Sequence, residues 1–249
     1  MTAVAPRIAL AAALACGCAR TPPILTFHSV AGGGDDAFTI SRAELGADLD
    51  WLAAHGFHAV TLCDALDAAD GGRALPDQPI VLTFDDGYAD AFSVALPELR
   101  ARGMVATFFL VADWVAPDEA HRRRVVEGGV ARDYLTVHEA RALAEAGNEL
   151  GAHALTHREL RGATPDALRD ETAGARAKLA ALFGRTPATF AYPGNSVDGP
   201  ARDAVRAAGY RGAVAGGHGY GLRWDLFRAG MYRGDGPSRL AALLGELDP

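Results

Sequence analysis

An α/β fold, with a mostly parallel sheet covered by helices, is predicted for this 249-residue chain by strand-like and helix-like stretches that alternate about seven times. A second observation narrows the choice. His28, Asp85-Asp86, His153 with His157, and Tyr192-Pro193 all fall at the carboxyl ends of strand-like runs or close beyond them. In a (β/α) barrel, functional side chains gather at that end. The third observation is something missing. No Gly-x-Gly-x-x-Gly opens a helix behind an early strand, and Gly32-Gly33-Gly34 has no helical pattern after it, so the nucleotide-binding version of a doubly wound sheet loses ground. The alternation by itself fits a barrel and an open sheet equally.

With 49% apolar residues, a chain of this length buries a substantial core, as one large domain or two small ones. The formal net charge is -7, and Arg122-Arg123-Arg124, the one obvious basic cluster, reads as a solvated helix face beside Glu119 and Glu127. Nucleic acid is therefore not expected as a partner. Residues 1–19 read as an export signal: Arg7 is a weak basic start, and Ile8 to Ala15 form an apolar run too short to span a bilayer. Cys16 and Cys18 follow it, and Ala13-Leu14-Ala15-Cys16 is an imperfect version of the pattern that receives a lipid in bacterial lipoproteins. Membrane attachment through a lipidated Cys16 or Cys18, and a place in the periplasm or cell envelope, are the corresponding expectations. Cys63 is then left as a buried core thiol.

The remaining elements follow in order. Ile24 to Val30 is a strand with His28 near its end, and a helix capped by Ser41 carries Leu45, Leu49 and Leu52 to Gly56. Phe57 to Leu62 is a strand and Cys63 to Ala69 a short helix, before the Gly71-Gly72 break. Ile80 to Phe84, after Pro79, is a buried strand; a helix from about Asp90 to Arg102 and a strand from Val105 to Val111 follow. Ala112 to Asp133 is irregular, a loop or an insertion over one face. Thr136, with Glu139 at the capping-box position, starts a helix to Ala146, and Glu149 to Gly151 leads to the two histidines. A long helix from about Thr164 to Phe183, a strand from Ala188 to Tyr192 and a turn at Pro193-Gly194-Asn195 come next. A helix over Ala201 to Ala208, short strands at Arg211 to Val214 and Leu226 to Ala229, and a last helix capped by Ser238 complete the chain.

The chemistry concentrates at Thr83-Phe84-Asp85-Asp86-Gly87. Gly87 lets the backbone turn at once, so both aspartates can face one cavity, where two carboxylates repel unless a cation or hydrogen-bond donors sit between them. The plainer alternative makes Asp86 a helix N-cap. His153 and His157, four apart, face one way on a helical turn, and two imidazoles with one carboxylate suffice for a catalytic divalent metal. The same ligand set holds non-haem iron in oxygenases, and a histidine pair at this spacing is also common on exposed helices. His28, alone on its strand, reads first as a structural histidine.

Thr83-Phe84-Asp85-Asp86-Gly87, His153-Ala154-Leu155-Thr156-His157 and Phe190-Ala191-Tyr192-Pro193 occur in the order and rough spacing of the polysaccharide deacetylases, carbohydrate esterase family 4, which this chain resembles from Ile24 to at least Gly216. Its opening strand is similar to that of the poly-N-acetylglucosamine deacetylase branch. The resemblance implies a distorted (β/α) barrel with about seven parallel strands, in a catalytic domain spanning 24–249. It implies a metal, usually zinc but replaceable by other divalent ions, held by Asp86, His153 and His157. Asp85 is then the general base for the attacking water. No histidine follows His218, so the late histidine that protonates the leaving amine in many relatives is missing; in the branch this chain resembles, the amino-terminal histidine takes its place, which implies His28 as the acid. Tyr192, Pro193 and Gly194 border the substrate, with the Gly194 N–H stabilising the oxyanion. Two departures stand out: Gly194-Asn195 replaces a bulky residue followed by glycine, and the arginine that steadies the base in relatives has no counterpart in the motif. The expected reaction is removal of N-acetyl groups from an N-acetylglucosamine-containing glycan, with no obligate protein partner. A small amide or imide substrate, or a catalytically inactive glycan-binding envelope protein, are the alternatives.

Overall fold

The computed structural model describes residues 21–30, 36–127, 130–216 and 223–244. Its strands in chain order are β1 (Ile24–Phe27), β2 (His58–Val60), β3 (Pro79–Phe84), β4 (Thr107–Leu110), β5 (Arg124–Glu127), β6 (Val130–Asp133), β7 (Glu149–Ala152), β8 (Thr189–Ala191), β9 (Gly212–Ala215), β10 (Leu226–Phe227) and β11 (Ala229–Gly230). The helices are α1 (Arg42–Ala54), α2 (Leu62–Ala69), α3 (Leu96–Ala101), α4 (Val137–Glu145), α5 (Pro165–Arg169), α6 (Ala175–Phe183), α7 (Gly199–Ala207) and α8 (Gly236–Leu244).

Among the described residues, nine strands form one sheet in the order β10-β9-β8-β7-β4-β3-β1-β11, with β2 paired to the start of β3. All of its pairings are parallel. The alternation had suggested about seven strands. Two places make the difference: the lead-in at Glu149 to Gly151 is a full strand, β7, and where the sequence shows one strand at Leu226 to Ala229 the chain divides into β10, which pairs with β9, and β11, which pairs with β1 on the opposite edge. Only Arg228 lies between them, so the sheet curls into a nearly closed barrel whose edges meet across a single residue.

Alternation along the strands sorts the side chains into two apolar groups. Ile24, Val81, Phe109, Ala191, Val214 and Leu226 pack together inside the barrel, and Leu62, Ala65 and Leu66 of α2 join them. Gly212 admits this helix: a Cβ there would lie 2.8 Å from Leu66 Cδ1. Beside it the half-buried Glu149 accepts from the hydroxyls of Thr107 (2.9 Å) and Thr189 (2.5 Å) and from the Cys63 N–H (2.9 Å), while desolvation pushes its pKa up. Cys63 is therefore half-buried in the first turn of α2 and not a core thiol; burial raises its pKa to about 11. Outside the barrel, Phe27, Phe84 and Phe108 stack in a row across β1, β3 and β4, with centroids 5.2 and 5.0 Å apart. They pack in one cluster with Leu45, Leu49 and Leu52 of α1, and each such side chain contributes roughly 1.5–3 kcal/mol by leaving water.

Local chemistry fixes several boundaries as expected. Ser41 with Glu44, and Thr136 with Glu139, close capping boxes at the starts of α1 and α4. Other boundaries differ. The stretch from Thr164 to Phe183 is helical but carries a π turn at Asp170–Gly174, and the helix ending in α3 begins with another at Ala91–Ala95. The irregular insertion contains the antiparallel hairpin β5–β6, in which Arg124 pairs with Asp133. Arg122 binds Glu119 and Glu139, so this basic cluster is an ion-pair network and not a helix face. Ser238 lies inside α8, which begins at Gly236. Residues 1–19, with Cys16 and Cys18, lie outside the described residues. No helix among the described residues is long and apolar enough to cross a membrane.

Candidate active site

A cavity of about 510 Å³ opens at the carboxyl ends of the barrel strands, and His28, Asp85, Asp86, His153, His157, Tyr192 and Gly194 all line it. Four strands deliver these residues: His28 directly follows β1, Asp85 follows β3, His153 follows β7 and Tyr192 follows β8. Asp86 and Gly87 both take positive φ, 70° and 77°, which swings two consecutive carboxylates to one side of the strand mouth. Asp86 is not an N-cap; the following helical turn starts after Asp90.

His153 and His157 do not share a helical turn. They sit on a loop after β7, folded back by the left-handed Ala154 (φ 63°) and His157 (φ 70°), strain that the surroundings must hold. Glu171, in the π turn between α5 and α6, supplies the hold. Its carboxylate accepts from the N–H groups of Leu155 (3.0 Å) and Thr156 (2.9 Å) and from the Thr156 hydroxyl (2.5 Å). The two imidazole rings meet edge-on, with centroids 4.9 Å apart, and Trp114 lies 5.1 Å from the His157 ring.

Asp86 Oδ1 lies 3.4 Å from His153 Nε2 and 3.2 Å from His157 Nε2, and the three ligand atoms fall within 4.8 Å of one another. Asp86 Oδ1 is buried with no well-formed hydrogen bond, the condition of a carboxylate oxygen awaiting a cation. His153 Nδ1 contacts the Ala191 carbonyl at 2.8 Å; as donor there it leaves the Nε2 lone pair aimed at Asp86. Two imidazoles and one carboxylate, with further positions open to the cavity, fit a divalent metal. Burial alone would raise the Asp86 pKa, but the two imidazoles override it and hold the carboxyl well below its usual range. Burial would lower that of His153, and Asp85 and Asp86 override it upward.

Asp85 is fully enclosed and receives a two-pronged ion pair from Arg228: Nη1 to Oδ1 at 2.7 Å and Nη2 to Oδ2 at 2.5 Å. Arg228 is the basic partner that the Asp85 motif itself does not contain. It comes from the barrel's closing point, where its own N–H donates to the Ala215 carbonyl and its guanidinium lies 5.7 Å over the Phe109 ring. Burial would push the Asp85 pKa up; Arg228 and then His153 bring it below the usual carboxylate value. His28 Nε2 stands 3.9 Å from Asp85 Oδ2, and burial holds its pKa below the usual imidazole value against the pull of Asp85 and Asp86.

The Tyr192 ring is fully buried, and its hydroxyl donates to the Trp224 carbonyl at 2.7 Å, so the side chain is committed to support. Pro193 is buried and does not line the cavity. Gly194 (φ 59°) and Asn195 (φ 54°) do line it, in a left-handed turn. A Cβ on Gly194 would come 3.1 Å from Glu159 Oε1, and one on Gly216 would come 2.4 Å from Asn195 Nδ2. The departure at Gly194-Asn195 thus seats an amide side chain against a bare backbone position. Two residues of the site escaped the sequence reading. Arg228 carries no local motif, and Glu171 looks like any other helical glutamate.

Comparison with known proteins agrees with this architecture. The family model described as polysaccharide deacetylase matches residues 72–213, more than half of the chain. YxkH of Bacillus subtilis (strain 168), named for the same family, is 26% identical over 192 residues, covering 77% of this chain and 63% of that protein. Poly-beta-1,6-N-acetyl-D-glucosamine N-deacetylase of Escherichia coli (strain K12) is 30% identical over 93 residues, 36% of this chain and 14% of that protein. The match therefore spans less than two thirds of either curated relative. Two solved structures share the fold: Streptococcus pyogenes deacetylase PplD in complex with acetate (TM-score 0.76, 19% identity, 92% of this chain and 98% of that one) and IcaB from Ammonifex degensii (TM-score 0.74, 22% identity, 92% and 98%). On the family match, and on the barrel that carries its motifs, the chain belongs to the polysaccharide deacetylase family.

Proposed function

We propose that this protein is a metal-dependent N-deacetylase of an N-acetylglucosamine-containing glycan, with residues 24–249 as its catalytic domain. One observation carries the reading: a three-ligand cluster and an arginine-held carboxylate open side by side into one cavity at the carboxyl end of a deacetylase barrel. Asp86, His153 and His157 hold the ion, and their nitrogen and carboxylate donors favour zinc. Once bound there, a divalent ion supplies Lewis acidity, polarising the amide carbonyl and making water a better nucleophile at neutral pH.

The side chains supply the rest. Asp85, kept ionised by Arg228, takes a proton from the attacking water. The Gly194 N–H faces the oxyanion, and Tyr192 and Pro193 hold that turn in place. His28 enters neutral, because burial lowers its pKa. The proton it delivers to the departing amine is therefore gained during the reaction; Asp85, which has taken one from the attacking water, stands 3.9 Å away and passes it on through a bridging water. Acetate release measured in parallel from peptidoglycan, chitooligosaccharides and poly-N-acetylglucosamine tests the reading. Release from at least one, abolished by a chelator and restored by zinc, is expected; no release from any of the three overturns it.

The same proposal places the enzyme at the cell envelope, on the strength of the signal-like residues 1–19 and the cysteines at 16 and 18. Sequencing the amino terminus of the envelope-associated protein tests this: a start at or after Cys16 is expected, and a cytoplasmic chain retaining Met1 contradicts it.

A further inference from the structure

We propose that Phe38 and Tyr232, edged by the Asp36–Arg132 pair, form a sugar-binding subsite for a neighbouring ring of an N-acetylhexosamine chain. This rests on the deacetylase reading and adds the substrate class: an oligomer of several pyranose rings, as against a small amide. All four residues line the cavity that holds the metal-ligating cluster. Phe38 and Tyr232 are 49% and 38% exposed, and the other large hydrophobics exposed among the described residues, Val126 and Phe227, lie outside the cavity. Leaving two aromatic rings in water at the mouth of a polar cavity is unfavourable unless something covers them.

Their geometry identifies the cover. The two rings meet edge-on with centroids 5.5 Å apart, and Phe38 in turn meets the His28 ring at 4.9 Å, so the aromatic surface continues to the proposed acid. A β-linked pyranose presents one apolar face of axial C–H groups and a rim of equatorial hydroxyls. With the two rings 78° apart, one covers the face and the other flanks the sugar's edge. Asp36 and Arg132, a carboxylate acceptor beside a guanidinium donor, match the rim.

The subsite is held in advance of any ligand. Asp36 accepts from the Phe38 N–H (3.0 Å), the Thr39 hydroxyl (2.9 Å) and Arg132 Nη2 (2.5 Å). Arg132 reaches it from the β5–β6 hairpin, lying 5.1 Å over the Tyr88 ring. On the other side, the Arg233 N–H donates to the Ala37 carbonyl (2.9 Å) and the Tyr232 N–H to Asp235 (2.9 Å). A Cβ on Gly230 would come 2.4 Å from the Tyr232 hydroxyl, so the bare glycine lets the tyrosine lie against the strand end. Rigid aromatic surface of this kind favours binding because little freedom is lost when a ligand settles on it.

The test measures calorimetric affinity in an Asp85→Asn background, where hydrolysis is slow, for N-acetylglucosamine and for its β-1,4- and β-1,6-linked pentamers. At least one pentamer is expected to bind tenfold or more tightly than the monomer. Phe38→Ala/Tyr232→Ala is expected to remove most of that advantage, and Val126→Ala, which also removes exposed apolar surface, is expected to keep it. Should the alanine pair not fold, Phe38→Leu/Tyr232→Leu retains apolar volume without flat rings and is expected to show the same loss. Length-independent affinity, or a full pentamer advantage in either folded double variant, overturns the subsite. Acetate release by the unsubstituted protein is followed separately. Its presence with length-independent binding removes the subsite alone, and its absence from every glycan removes the deacetylase reading.

Discussion

Asp85 is a carboxylate carried out of water and given one close cation, and its behaviour hangs on Arg228. Removing one partner of a buried ion pair costs about 3–5 kcal/mol, while replacing both with apolar groups is often neutral. Arg228→Met is therefore expected to destabilise by about that amount in urea unfolding. Arg228→Met/Asp85→Leu is expected to regain much of the stability while staying inactive; a double variant as unstable as the single one would count against the pairing. The acid and base roles separate by substrate. Asp85→Asn is expected to retain metal and lose roughly 10²–10⁴-fold in turnover on amides and activated esters alike. His28→Ala is expected to lose activity mainly on amides, because an activated ester has a leaving group that needs little protonation. Equal losses on both substrates, with a lowered melting temperature, would make His28 structural. At this scale the sequence showed the residues whose chemistry is unusual where they stand: adjacent aspartates at a strand mouth, paired histidines near a glycine. It did not show Arg228 or Glu171, whose importance comes from contacts 143 and about 15 positions away.

In the elements, local chemistry was legible and long-range pairing was not. The caps at Ser41 and Thr136 are written in residues three apart. The division of the last barrel strand depends on which edges β10 and β11 find, and the histidine loop depends on Glu171 from a later helix. Helix α1 carries a group that fits neither its amphipathic pattern nor the site. Asp48 is 2% exposed, and burial, with Glu44 and Asp235 nearby, raises its pKa to about 7. The folded state thus holds this proton more tightly than the unfolded chain, where an aspartate titrates near its usual value of about 3.9. Between those values the native state binds more protons, so the contribution of Asp48 to stability falls as pH rises, by about 1.4 kcal/mol per unit, and levels off above about 7. Asp48→Asn is expected to remove that slope, so unfolding free energies from pH 4.5 to 8 should separate the variant from the parent most at the alkaline end. Parallel curves for the two proteins would show that Asp48 titrates normally.

For the whole molecule, a ligand cluster assembled from the turn after β3 and the loop after β7 would tie the proposed metal binding to folding. A bound ion at a hundred times its Kd adds about 2.7 kcal/mol of stability, so zinc is expected to raise the melting temperature and a chelator to lower it. His153→Ala/His157→Ala is expected to abolish both responses; full metal occupancy in that folded variant contradicts the assignment. Because Asp85 and Asp86 raise the proton affinity of His153 in the metal-free protein, protons compete with the ion as pH falls. Metal content measured after dialysis should accordingly drop on acidification. The barrel itself was legible because strand–helix alternation and the gathering of polar residues at strand ends are both properties of sequence order. Its closing point was not, and the family match at 72–213 also stops short of Arg228.

That closing point has a consequence in time. Every proposed metal ligand lies at or before His157, whereas the cation that keeps Asp85 ionised arrives only when the segment around Arg228 inserts between the two sheet edges. The histidine loop is held by Glu171 and by the Ala191 carbonyl, so on the proposed reading the ligands are set once β8 is in place, still ahead of the arginine that serves the base. On that reading catalysis is the last property the chain acquires, when the closing strands dock and bring Arg228 to Asp85.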